Sequence, residues 1–231
     1  GRILMVGHLL LYKPAVQKLI ERARSGAIGK LLYVNMRRAK LGRVRRQENV
    51  LWSFAPHDLA VLLNLVRDRV EKVLCCGLDA LQPGIEDDYH LHLSFQNGVQ
   101  AHLHLSWLWP EDERKTVVVG SEGMLVYDEH LDKLWLHRKK ITPELAARDL
   151  GREEMPFDQK DALEEEARHF LECIQERNSP ITCGQEGRAD CLPGSGRARG
   201  ERAPRRRGRG QQRDRLRRAQ SGIPGAGARD H

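Results

Sequence analysis

The stretch Gly42-Arg-Val-Arg-Arg-Gln-Glu-Asn-Val-Leu-Trp-Ser-Phe-Ala-Pro-His-Asp58 brings together the features on which the reading of this chain turns. A basic, polar approach (Arg43, Arg45, Arg46, Asn49) suits an anionic ligand, and an apolar anchor (Val50, Leu51, Trp52) follows it. Pro56 fits the first position of a helix, where its missing N–H leaves no bond unmade. Leu59, Leu62, Leu63 and Val66 then fall at i, i+3, i+4 and i+7 on one helical face. The spacing therefore predicts a helix that starts at Pro56 and places His57 in its first turn. At the positive end of a helix dipole an imidazole favours its neutral, proton-accepting form, whereas Asp58 is favoured there as a carboxylate. The same residues also fit a buried histidine beside a helix-start acid, with no chemistry attached.

Toward the N-terminus, Ile3-Leu4-Met5-Val6 is a continuous apolar run ending in Gly7, as in a strand buried on both faces of a parallel sheet. Pro14 opens a helix with Val16, Leu19, Ile20 and Ala23 on one side, closed by Gly26. That pair looks like the last strand–helix unit of an α/β sheet whose earlier units are not in this sequence. His8 would then follow the strand's carboxyl end, where open α/β sheets place ligands, with Tyr12 and Lys13 in reach of the same crevice. A purely structural histidine is the alternative.

Toward the C-terminus, strands are predicted at Leu31–Ala39, Val70–Leu78, Tyr89–Phe95, Val99–Leu108, Arg114–Val119, Met124–Tyr127 and Lys133–His137. Asn97-Gly98 is a strong hairpin signal. Residues 138–158 are polar and irregular and read as a loop. Asp161–Glu176 returns to helix, with Leu163, Ala167, Phe170, Leu171 and Ile174 on one face. One strand, a helix and a run of antiparallel strands make an α+β pattern.

Charge divides the chain. From Gly184 to His231 there are 13 arginines, no lysine and five acids, while the whole chain carries a net +7, so residues 1–183 are close to neutral. The Arg/Gly-rich tail is open to three readings: a frameshifted product of GC-rich DNA, a phosphate-seeking nucleic-acid tail, or a neutral disordered extension. No aromatic residue is interleaved for base stacking, which counts against nucleic acid as the partner. Five cysteines (Cys75, Cys76, Cys173, Cys183, Cys191), with no C-x-x-C and no zinc spacing, suggest reduced thiols in a cytoplasm. Adjacent Cys75 and Cys76 would face opposite sides of a strand and read as structural. The first apolar run is far shorter than the roughly 18–20 residues a membrane span needs.

Two His-x-His pairs, His90/His92 and His102/His104, invite a metal. If Asn97-Gly98 is a two-residue turn, however, His92 faces Leu103 and His102 faces Leu93, so the pairs lie on opposite faces and no metal is expected. No Gly-x-Gly-x-x-Gly follows a strand, and there is neither a Gly-x-Ser-x-Gly elbow nor a convincing Cys–His couple.

Five ordered segments resemble the Gfo/Idh/MocA oxidoreductases: residues 6–16 (Val-Gly-His-Leu-Leu-Leu-Tyr-Lys-Pro-Ala-Val), 26–31 (Gly-Ala-Ile-Gly-Lys-Leu), 49–58, 101–110 (Ala-His-Leu-His-Leu-Ser-Trp-Leu-Trp-Pro) and 118–124 (Val-Val-Gly-Ser-Glu-Gly-Met). Within that family the sequence looks most like the branch that oxidises C3 of UDP-N-acetylhexosamines or their uronates. The resemblance covers residues 1 to about 187. It implies residues 1–27 as a remnant of a Rossmann domain and 28–183 as an α+β substrate and oligomerisation domain, with an open, mainly antiparallel sheet and helices on one face. It leaves 184–231 as a tail outside the fold.

The resemblance further implies NAD or NADP as cofactor and a sugar or nucleotide sugar as substrate. The partner is another copy of the chain, through the open sheet face, with no membrane role. The family's glycine-rich loop and catalytic lysine motif have no counterpart here, so the chain is expected to be inactive alone. His57 takes the position of the family's catalytic histidine, while Ser53 stands where many relatives have an acid. Arg43, Asn49 and Tyr12 take substrate-side positions and His8 a cofactor-side one. A non-catalytic binding or oligomerisation module is the competing reading.

Overall fold

Two of the family-like segments meet each other, and their meeting fixes the centre of the fold. In the computed structural model, which describes residues 2–183, helix α1 (Pro14–Arg24) leads through residues 26–30 into strand β1 (Leu31–Ala39). The turn between β5 (Glu113–Gly120) and β6 (Met124–Asp128) docks on that connection. Ser121 N–H donates to Lys30 O, Glu122 N–H donates to Ile28 O, both at 2.9 Å, and Lys30 N–H donates to Ser121 Oγ at 3.0 Å. The approach is so close that a Cβ on Gly120 would lie 2.1 Å from Ile28 O. Glycine is required there because no side chain fits.

Eight strands form one sheet in the order β2-β3-β4-β1-β5-β6-β7-β8, with β2 at Val70–Leu78, β3 at Asp88–Phe95, β4 at Gln100–Ser106, β7 at Lys133–Ile141 and β8 at Ala147–Glu154. Among the described residues only the β1–β4 pair is parallel; the other strand pairings are antiparallel. The α+β class is as expected. α1 and α2 (Val50–Val66) pack on one face of the sheet, against Val34, Met36, Leu103, Leu105, Val118, Leu125 and Leu134, all fully or nearly fully buried. The other face carries Tyr33, Asn35, Arg37 and the histidines and has no helix over it among the described residues.

Three expectations fail here, each for a local reason. The polar segment 138–158 is not a loop: β7 continues to Ile141, and β8 pairs with it across a turn at Thr142–Ala146. β8 is exposed along its whole length, so neither face imposes an apolar alternation for sequence to reveal. Cross-strand pairs Lys133–Glu154, Arg138–Glu153 and Lys139–Asp149 run along it instead. Ile3–Val6 is not a doubly buried strand; Met5 makes one isolated bridge to Cys183, and Leu4 is 67% exposed. A continuous apolar run does not by itself distinguish a sheet strand from a segment laid along another loop. Cys75 and Cys76 do sit on a strand, but on the edge strand β2, where both are exposed rather than structural.

The last helix, α3 (Ala162–Glu176), starts where expected: the Asp161 carboxylate accepts from Leu163 and Glu164 N–H groups. It turns an unexpected side inward, however. Glu166 and Cys173 are buried while Leu163, Leu171 and Ile174 are exposed. The Arg/Gly-rich tail expected from residue 184 lies outside the described residues.

Candidate functional site

α2 begins at Val50, not at Pro56. Asn49 is its N-cap, its Oδ1 accepting from Trp52 N–H at 3.2 Å, while its Nδ2 donates to Glu86 Oε2 at 2.8 Å. Pro56 therefore lies inside the helix, and His57 is two turns from the N-terminus. The dipole acts within the first turn, and His57 lies beyond it. Trp52, read as part of an apolar anchor, is 69% exposed, whereas Val50 is fully buried. The real anchor also includes Phe54, which meets Trp107 edge-on at 6.5 Å.

The earlier start rotates the helix into a different reading. Its buried positions are Val50, Ala55, Asp58, Val61, Leu62, Leu65 and Val66, so an acid sits on the core-facing side. Asp58 is only 3% exposed and faces Arg38 of β1 in a forked pair, with Nε at 3.0–3.1 Å from both carboxylate oxygens and Nη2 at 2.8 Å. The same Nη2 reaches Glu129 Oε2 at 2.9 Å, and Glu129 is also met by Arg114 at 3.4 Å and Lys13 at 3.6 Å. Burial alone would raise the Glu129 carboxyl, but Arg38, Lys13 and Arg114 together hold it below its ordinary 4.5. Burial would likewise lower Arg38, and the two carboxylates reverse that and raise it.

This network ties α2, β1 and the 3-10 turn at Leu9–Tyr12 with α1 behind it to the β6–β7 connection. It corrects the reading of Asp58 as a helix-start acid. The signal was present in the sequence: an acid inside an apolar helical stripe must find a partner.

His57 itself is exposed on the outer side of α2, and His8 lies half-buried at the N-cap of the 3-10 turn Leu9–Tyr12. The two imidazoles are near enough to sense each other: burial first, and then His57, lower the pKa of His8 below its ordinary 6.5. The fold thus brings together the two histidines that the sequence singled out, from positions 49 residues apart.

Arg43, Arg45 and Arg46 are exposed on the approach to α2, with Arg45 held by Glu48 at 2.8 Å and its carbonyl accepting from Gln82 Nε2 at 2.9 Å. Asn49 borders this surface, but both ends of its amide already serve the cap and Glu86. Tyr12 is not on it. The ring is 2% exposed, lies 5.7 Å from His169 of α3, and sends its hydroxyl toward Met5 Sδ at 3.6 Å, which corrects the expectation that it lines the crevice.

The histidine strands also need correction. Phe95 N–H donates to Val99 O and Gly98 N–H to Phe95 O, both at 2.9 Å, with Gly98 at φ +86°. That is a three-residue turn, closing on a residue in the left-handed region, not a two-residue turn. The pairing therefore slips by one, and His90 lies opposite His104 and His92 opposite His102. A slip of one residue carries a whole set of side chains to the other face, so all four histidines share the open face.

An α+β sheet with a single parallel pair, backed by α1 and α2, defines the architecture. Residues 16–126 match the family model described as the GFO/IDH/MocA C-terminal domain, so the chain is similar to that domain over just under half of its length. It is similar in structure to the UDP-N-acetylglucosamine 3-dehydrogenase of Acidithiobacillus ferrooxidans, at 23% identity and a TM-score of 0.67, covering 80% of this chain and 57% of that one. It is also similar to an aldose-aldose oxidoreductase from Caulobacter crescentus complexed with glycerol (18%, TM-score 0.68, 81% and 58% covered). A third is an oxidoreductase from Agrobacterium radiobacter in complex with NAD+, L-tartaric acid and magnesium (15%, TM-score 0.62, 80% and 58% covered). The chain thus spans less than two thirds of the length of these solved relatives. No curated protein matches it significantly.

Proposed function

We propose that this chain supplies the substrate-side domain of an NAD(P)-dependent oxidoreductase acting on a secondary alcohol of a sugar or nucleotide sugar, with C3 of a UDP-N-acetylhexosamine or its uronate as the favoured substrate. The observation that carries this reading is the exposed His57 beside His8, at the edge of a domain similar to the GFO/IDH/MocA C-terminal domain and next to a cationic approach. Oxidising a secondary alcohol requires a base for the hydroxyl proton and an acceptor for the hydride. His57 serves as the base, its imidazole nitrogen taking the O–H proton. Arg43 and the neighbouring arginines attract the diphosphate or uronate, and Asn49 positions the chain that carries Arg43 more than it touches the ligand.

A nicotinamide cofactor needs a glycine-rich turn between a strand and a helix for its diphosphate. Among the described residues no such unit is present, so the part proposed for them is substrate binding and proton transfer, without the hydride step. Residues 1–27 and 28–183 are proposed as the end of a nucleotide-binding domain and a substrate and oligomerisation domain, with a second copy meeting the open sheet face. No helix among the described residues is long and apolar enough to cross a membrane.

The reading is tested by titrating UDP-N-acetylglucosamine into the isotope-labelled chain and following amide and imidazole resonances. Shifts are expected to cluster at His8, Arg43, Asn49 and His57 and to weaken in Arg43→Ala. Shifts confined to the open sheet face, or none at millimolar ligand, would overturn it.

A further inference from the structure

The corrected register leaves a cluster on the open face that has no part in the alcohol chemistry. β3 presents Asp88 and His90 two residues apart, and therefore on one side, while β4 presents His104 directly opposite His90. His104 Nε2 lies 2.9 Å from Asp88 Oδ2, and His90 Nε2 lies 3.5 Å from Asp88 Oδ1. The two imidazole rings stack at 4.2 Å and 4°. One ligand atom from each of the three residues lies within 4.8 Å of the other two.

We propose that Asp88, His90 and His104 form a binding site for a divalent transition-metal ion of the zinc class. Bonds of about 2.0–2.2 Å from two imidazoles and a carboxylate to one tetrahedral ion separate the ligand atoms by roughly 3.4 Å, a spacing in reach of atoms that already lie within 4.8 Å of one another, and ligation requires the two stacked rings to tilt so that their lone pairs converge. The donor set selects the metal. Imidazole with carboxylate suits zinc and its neighbours, whereas calcium and magnesium take all-oxygen sets. Three protein ligands leave a fourth position facing away from the sheet, the pattern of an open site and not of a closed structural one.

The surroundings support ligation. His104 is largely buried, and Trp109 meets it edge-on at 5.2 Å, so its ring is held in place. The nearby Arg37 guanidinium is neutralised by Glu113 at 2.8 Å and lies over Trp109, so its charge is already countered. His92 and His102, one step along the same strands, turn their Nδ1 atoms toward each other and form a separate couple. Cys76 lies opposite His90 on β2 and is exposed, so a thiol contribution must be separated from the proposed set.

The test is zinc binding to the tag-free 231-residue chain at neutral pH, by competition with a chromophoric chelator. The visible absorption of cobalt bound in its place reports tetrahedral geometry. One equivalent should bind, with tetrahedral cobalt bands. His104→Gln and Asp88→Asn should each weaken binding by at least about 10-fold while circular dichroism stays unchanged. The Cys75→Ser/Cys76→Ser variant and the His92→Ala/His102→Ala variant should keep full affinity. The proposal is overturned if zinc still binds with undiminished affinity in both His104→Gln and Asp88→Asn, if either control pair abolishes binding, or if cobalt shows only octahedral bands.

Discussion

Replacing Asp58 by alanine tests whether the ion network under α2 holds the helix to the sheet. The side chains of Arg38 and Asp58 are 13% and 5% exposed, so the substitution leaves a buried guanidinium that has lost its forked partner. Breaking one side of a buried pair costs about 3–5 kcal/mol. Glu129 remains on Arg38 Nη2 at 2.9 Å, which puts the expected loss near the lower end, about 3 kcal/mol. For a domain of this size that corresponds to a fall in Tm of roughly 6–12 °C.

Urea unfolding followed by tryptophan fluorescence would read the change. Because the pair is buried, 1 M salt, which shortens the Debye length to about 3 Å, should not abolish the difference. Replacing both partners, as in Arg38→Met/Asp58→Leu, should cost less than Asp58→Ala alone, since no uncompensated charge at Arg38 is left behind. A loss below about 1 kcal/mol for Asp58→Ala, or a double variant as unstable as the sum of the singles, would refute the reasoning. The network also predicts an acid limb. The Glu129 carboxyl is depressed in the folded protein, so its contribution is present above the ordinary value of 4.5 and is lost as pH falls through the folded one.

Two further predictions are narrower. Gly120→Ala would place a methyl 2.1 Å from Ile28 O, a backbone atom that cannot swing aside, and is expected to cost about 3 kcal/mol or prevent folding, whereas Gly98→Ala meets no atom and carries only the strain of its left-handed φ, about 1–2 kcal/mol; equal losses in thermal unfolding would contradict this. In an NMR pH titration His8 should titrate below 6.5, and His57→Ala should move it partway back while burial keeps it depressed. A depressed folded value means that His8 favours unfolding as pH drops below 6.5, with the penalty complete below the folded pKa.

Much of the fold was legible because its elements follow simple periods. β1 and β2 alternate or punctuate as strands do, Asp161 caps α3, and the order of strands and helices was enough for the α+β class. What failed lay where local signals were ambiguous or absent. Pro56 is statistically a helix-start residue, yet Asn49 supplied an earlier cap, and the choice between them depended on whether Val50 and Phe54 had a sheet to pack against. β8 carries no apolar alternation because neither of its faces is buried. The Asn97-Gly98 turn could close with two residues or three, and the sequence there does not choose.

Sequence alone determined the chemical inventory: a histidine at 57, arginines before it, glycines at 120 and 123, histidines in alternate positions on two strands. Tertiary structure decided what meets what. It placed His8 beside His57 because the 3-10 turn packs on α2, and it buried Asp58 against Arg38 because the helix begins at Val50. It gathered Asp88, His90 and His104 on one face because a single added turn residue shifts the register, and in a sheet each such step exchanges the two faces.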